Sequence, residues 1–103
     1  MAITQNVLTT TAANVYVSTG NTVVSVMYFC NIDSTSKTFN LYVVPSGTTS
    51  INGNVQIYKD VQVAGADTFV IDMEKLVLSN GDTLRANASV DNTITATVSY
   101  VGI

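Results

Sequence analysis

Apolar residues recur at every second position along most of this chain. Leu84, Ala86, Ala88 and Val90 alternate with Thr83, Arg85, Asn87 and Ser89. Ile94, Ala96, Val98 and Tyr100 alternate with Thr93, Thr95, Thr97 and Ser99. Phe69, Ile71 and Met73 alternate with Thr68, Val70 and Asp72, and Val55, Ile57, Val61 and Val63 with Gln56, Tyr58, Asp60 and Gln62. A period of two is that of an extended strand, whose side chains point to opposite faces in turn. β-Branched and aromatic residues fill these runs, as a pleated, half-buried surface requires.

Two segments carry apolar residues on both faces. Between Thr22 and Asn31, Val23, Met27 and Phe29 share one face, while Val24, Val26, Tyr28 and Cys30 share the other. Such a strand is expected to be covered on both sides, by a central position or by another subunit. Phe39, Leu41 and Val43 make the next strand, with Tyr42 and Val44 on its second face. Turn residues punctuate the runs at Ser18–Asn21, Ile32–Ser36, Pro45–Gly47, Asn52–Asn54, Ala64–Ala66, Asn80–Asp82 and Asp91–Asn92. Glycine supplies positive φ there and asparagine tolerates it. Met73–Leu78 contains helix formers but is too short to hold a helix, and is read as a bend or a continuing strand. The pattern predicts an all-β fold, a single β-sandwich of jelly-roll or Ig-like type with about seven or eight antiparallel strands. Residues 1–103 are read as one domain, with 1–13 an arm or an edge strand.

Composition narrows the function. Charged residues make up 11% of the chain, against about 25–35% on the surface of a typical soluble domain. Neutral hydroxyls and amides are less costly to desolvate than charges, so such a surface suits packing against partners. The net charge is −3, and the basic residues Lys37, Lys59, Lys75 and Arg85 are scattered. Nucleic acid is therefore not expected as a partner. The longest near-apolar run, Val23–Cys30, falls far short of the roughly 20 residues that span a membrane. The start Met-Ala-Ile-Thr-Gln-Asn lacks a basic region followed by an apolar stretch, so no signal peptide is expected.

The chemistry-bearing residues are few. There is no histidine, which removes the commonest general base and zinc ligand together. Cys30 is the sole cysteine, and its apolar sequence neighbours suggest a buried, inert thiol. Asp72 and Glu74 would lie on one strand face about 7 Å apart, but no third acid completes a site. Asp82 and Asp91 sit in turns without a calcium-loop pattern. Asn87-Ala88-Ser89 matches the glycosylation triplet, a pattern common by chance. No catalytic, cofactor-binding or metal-binding residues are assigned, no cofactor is expected, and the chain is not expected to be an enzyme. Tyr16, Tyr28, Tyr42 and Tyr58 are the candidate interface residues, because exposed tyrosines bring large rigid contact area at low entropy cost.

The order of segments carries one resemblance. Asn14-Val15-Tyr16-Val17 leads into a turn at Gly20 and then Thr22-Val23-Val24-Ser25-Val26 and Tyr28-Phe29-Cys30-Asn31. Thr38–Val44, Val63–Phe69, Leu76–Ala86 and a closing Thr/Val strand follow. Over almost its whole length the chain resembles small virion proteins of tailed bacteriophages, although the proline that often precedes the first turn in that family is absent from Val17-Ser18-Thr19-Gly20. The resemblance implies a virion structural protein, first of all a capsid decoration (cement) protein that binds and stabilises the assembled head shell. It implies the major capsid protein or other virion proteins as partners, a homo-oligomer with a trimer favoured, and the capsid surface as location. A tail, neck or fibre accessory that contacts a receptor is the alternative, and a small glycan-active enzyme using Asp72 and Glu74 a remote one.

Overall fold

A computed structural model describes residues 2–48, 55–72 and 76–103. Among these, the strands in chain order are β1 (Ala2–Val7), β2 (Ala13–Val17), β3 (Thr22–Asn31), β4 (Lys37–Val44), β5 (Gln56–Val63), β6 (Thr68–Ile71), β7 (Leu76–Leu78), β8 (Thr83–Ala88) and β9 (Ile94–Gly102). They form two antiparallel sheets. The front sheet runs β1-β9-β3-β6, with β7 also on β3, and the back sheet runs β2-β8-β4-β5.

β6 pairs with Met27–Cys30 of β3 and β7 with Thr22–Val24. The two short strands therefore fill one edge lane, and nine strands occupy eight lanes. The chain crosses between sheets from β1 to β2, β2 to β3, β3 to β4, β5 to β6, β7 to β8 and β8 to β9. That order is a jelly roll. An Ig-like sandwich, whose two sheets are ABED and CFG, has a different order. Residues 2–7 are an edge strand, and Leu8–Ala12 link it to β2.

The core lies where the alternation of β4, β8 and β9 points it. Phe39, Leu41, Leu84, Ala86, Ala88, Ile94, Ala96 and Val98 are all buried. Burying each large apolar side chain contributes about 1.5–3 kcal/mol. Aromatic rings link the layers. Phe29 stacks on Phe39, Phe39 meets Phe69 edge-on, and Phe69 meets Tyr58.

Four register shifts, one in β3, one in β2 and two in β5, alter the alternation and correct the sequence reading. In β3 the register slips between Val24 and Val26. Val24 therefore joins Met27 and Phe29 inside, and Val23 moves to the outer face, half-buried. In β2 it slips between Asn14 and Tyr16, so Val15 and Tyr16 are both buried and Val17 is exposed. In β5 one slip lies between the partners of Phe39 and Leu41, where Asp60 takes φ 49°, and a second lies between the partners of Leu41 and Tyr42, where Ile57 is the extra residue. Val61 and Val63 face the core as expected, but ahead of the bulge Tyr58 packs on it and Ile57 is exposed. A bulge adds one residue to one strand only, so it inverts the facing of everything on its far side.

Buried polar groups secure the ends of the sandwich. Asn31, fully buried, donates to the Thr35 and Val63 carbonyls and accepts from the Asp33 N–H. At the opposite end of β3, the Thr22 hydroxyl meets those of Tyr16 at 3.1 Å and Ser18 at 2.9 Å. Gly65 lies so close to the 32–36 loop that a Cβ there would sit 2.2 Å from the Ser34 carbonyl oxygen.

Candidate functional site

The register places an uncharged surface on the outside of the front sheet, mainly aliphatic and aromatic on β1, β3, β6 and β7 and lined with hydroxyls along β9. Residues paired directly across antiparallel strands share a face. One row holds Gln5, Thr97, Tyr28 and Val70. The next rows hold Ile3, Ser99 and Val26, then Val101, Val23 and Val77. On the other side of the Tyr28 row come Val7, Thr95, Cys30 and Thr68. Several of these are far from buried: Val77 is 68% exposed, Ile3 64%, Val70 43% and Tyr28 41%. β3 is thus an interior lane of its sheet, but no described part of the chain forms a layer over its second face.

Charge is partitioned between the sheets. Among the described residues, no strand of the front sheet contains Asp, Glu, Lys or Arg. The strand-borne charges Lys37, Lys59, Asp60 and Arg85 all belong to the back sheet. A desolvated patch loses most from buried unpaired charge, and on the described strands that charge is confined to the back sheet.

The outer face of the back sheet is polar. Arg85 lies at its middle, opposite Asn14 on one side and Tyr42 on the other, with Gln56 beyond Tyr42. Three buried polar atoms without hydrogen-bond partners, Thr83 Oγ1, Arg85 Nε and Asn87 Oδ1, sit on alternate residues of β8 and so on this one face. Val44, also on this face by its pairing with Thr83, is 2% exposed.

The four candidate tyrosines do not form one surface. Tyr28 is exposed at the centre of the apolar face. Tyr42 is half-buried on the opposite, polar face. Tyr16 is in the core, where its ring lies 4.3 Å from that of Tyr100. Tyr58 packs on the core against Phe69. The expectation that Tyr16 and Tyr58 are exposed is thus corrected by the bulges of β2 and β5. What the sequence reading missed was the aliphatic part of the open face. Its signal was present in Ile3, Val70, Val77 and Val101, which stand at outward positions of strands that have no charged residue.

The remaining chemical candidates occupy separate places. Cys30 is half-buried on the outer face of the front sheet rather than in the core, because its neighbour Phe29 takes the inward position. Asp72 is exposed at the end of β6, and Glu74 lies outside the described residues. The Asp82 carboxylate accepts the N–H groups of Ser46 and Ser79, and Asp91 accepts that of Thr10, so both tie turns together. Asn87 donates its side-chain amide to the Thr10 carbonyl. Among the described residues no three His, Cys, Asp or Glu side chains gather as a metal site. A cavity of about 320 Å³ opens beside Met27, Ile57, Tyr58, Ile71 and Leu76. Four of these five are purely hydrocarbon or thioether, so the described lining offers no set of convergent polar groups of the kind that orient a specific small ligand.

No protein-family model, no curated protein and no solved structure matches the chain.

Proposed function

We propose that the chain is a structural binding module whose working surface is the outer face of the front sheet, and that its setting is a phage head, where it decorates the assembled shell. The working surface rests on one observation: among the described residues the strand-borne charges are on the other sheet, while Ile3, Tyr28, Val70, Val77 and Val101 stand exposed on this one. Apolar, charge-free area of this kind marks a contact surface. The setting rests on the sequence resemblance. The jelly roll itself is shared by viral capsid domains, lectins and cupins, so the fold alone does not select among them.

The partner this face fits is an uncharged, apolar and hydroxyl-rich protein surface that exists only once the shell has assembled. A protein that binds the assembled state and not its dissociated parts stabilises that state by mass action. Cys30 offers a built-in reporter, since it is the sole thiol of the chain and lies on this face. Heads lacking the protein are mixed with purified chain, and the thiol is labelled with a maleimide before and after binding. The reading expects heads to bind the chain, Cys30 to become protected, and Val70→Lys with Val77→Lys to abolish binding in a folded protein. Binding to tails and not heads, or a thiol equally reactive in both states, overturns it.

A further inference from the structure

The four sheet edges are not alike. β5 carries a bulge with Asp60 at positive φ and the charged pair Lys59-Asp60. β2 carries a bulge between Asn14 and Tyr16. The fourth lane of the front sheet is shared by two short strands, β6 of four residues and β7 of three. Bulges, charges and short strands are the devices by which proteins stop an edge from pairing with another chain. β1 has none of them. It is a six-residue strand, Ala-Ile-Thr-Gln-Asn-Val, without charge or proline, in unbroken register with β9 from Ala2↔Tyr100 to Val7↔Thr95.

The direction of its free backbone groups follows from the ladder. Leu8 donates its N–H to the Ile94 carbonyl at 2.8 Å. By the two-residue alternation, even-numbered residues of β1 bond to β9, and Ile3, Gln5 and Val7 turn their N–H and C=O groups to the free edge. The strand is held in place for such a role. Asn6 reaches across the sandwich and donates its side-chain amide to the Val15 carbonyl of β2 at 3.2 Å.

We propose that β1 is a pairing edge for β1 of a second copy, joining two front sheets antiparallel across a two-fold axis at Gln5. Centring on Gln5 sets Ile3 of each copy opposite Val7 of the other and Gln5 opposite Gln5. About six backbone hydrogen bonds form between the odd-numbered residues. Ile3 and Val7 lie on the outer face, 64% and 51% exposed, so each cross-strand pair joins two apolar side chains that otherwise face water. The absence of charge on β1 matters for a self-pairing edge, because any charge near the axis would meet its own like. The product is one continuous sheet of eight lanes with an uncharged outer face twice as wide. The inference concerns the isolated protein and stands apart from the identity of the shell, so the two fail separately.

The test uses the full chain in solution. Sedimentation from about 5 to 500 µM covers the range of weak, small interfaces, and amide exchange is followed by NMR at both ends of it. The expected result is a reversible dimer, with the amides of Ile3, Gln5 and Val7 gaining protection as concentration rises. Gln5→Pro removes an N–H that points away from β9, so it blocks the edge while sparing the intramolecular ladder. It is expected to weaken the dimer at least about tenfold, whereas Val77→Lys, on the far lane, leaves it unchanged. A chain that stays monomeric throughout, or odd-numbered β1 amides that exchange fast at every concentration, overturns the proposal. So does a dimer unaffected by Gln5→Pro.

Discussion

The rings of Phe29 and Phe39 stack across the sandwich, with centroids 4.0 Å apart and planes 14° from parallel. One belongs to β3 of the front sheet and the other to β4 of the back sheet, and both are fully buried. Phe39 also meets Phe69, which in turn meets Tyr58. The middle of the core is therefore a chain of four rings, and Phe39 has a neighbour on each side.

Truncating that ring removes contacts in both directions. Phe39→Ala is expected to cost about 3–5 kcal/mol, the range for burying a cavity in place of a phenyl group. That lowers the melting temperature by about 12–40 °C in a domain of this size. Thermal denaturation followed by circular dichroism measures it. A loss below about 1 kcal/mol would show that the sheets pack without this stack.

β8 and β9 were readable from sequence residue by residue, because neither strand contains an inserted residue. Leu84, Ala86, Ala88, Ile94, Ala96 and Val98 are all buried, as strict alternation requires. The failures cluster at Val15, Ser25 and Asp60, where a bulge adds one position and reverses the facing beyond it. Nothing in local composition marks Val15 or Ser25 as insertions, whereas Asp60 is a residue type depleted in strands and tolerant of positive φ. Their positions are set by the partner strand, which a period count along one segment does not see. The open face suffered for the same reason: Val23 and Val24 exchange faces at the Ser25 bulge. Cys30, Tyr28 and Val26 kept their shared face, but whether another layer covers that face depends on the arrangement of sheets.

The β5 bulge gives its own test. Asp60 takes φ 49°, and its N–H donates to Asn40 Oδ1 at 2.9 Å. A β-branched residue is poorly tolerated in that left-handed conformation, at a cost of about 1–2 kcal/mol. Asp60→Val is therefore expected to destabilise the protein by that amount, and Asp60→Gly to change it by less than about 0.5 kcal/mol. Chemical denaturation distinguishes the two. A regular strand without the bulge would give the opposite order, with valine the better residue.

Thr83 presents a case in which deleting a polar atom is expected to help. Its Oγ1 is buried and makes no hydrogen bond. An unsatisfied buried hydroxyl costs about 1–3 kcal/mol, and valine fills nearly the same volume without it. Thr83→Val is expected to be neutral to stabilising, by up to about 1 kcal/mol, read as an unchanged or raised denaturation midpoint. Thr22→Val, on the other sheet, supplies the contrast. Thr22 Oγ1 bonds to the hydroxyls of both Tyr16 and Ser18, so its loss strands the buried Tyr16 hydroxyl and lowers stability. If Thr83→Val destabilises as much as Thr22→Val, the Thr83 hydroxyl has a partner in solution.

Acid sensitivity is expected to begin late. The Asp33 carboxyl is held below its ordinary value of 3.8, first by the Ser34 backbone N–H and then by Lys37, whose Nζ lies 3.1 Å from Oδ2. A carboxyl with a lowered folded-state pKa binds protons more readily in the unfolded chain. Its contribution is thus fully present above the unfolded value and is lost as pH falls through the folded one. The chain has no histidine, the side chain whose ordinary charge change falls between pH 5 and 8. Melting temperature is therefore expected to stay level from about pH 8 to pH 5 and to fall only below about pH 4. Asp33→Asn is expected to soften that fall slightly, because the group is exposed and solvent screens its ion pair. The measurement is a melting curve at half-unit steps of pH. A decline setting in near pH 6 would mean that some other group, ionised in the folded protein, loses its proton balance there, and Asp33 would not be the source of the acid limb.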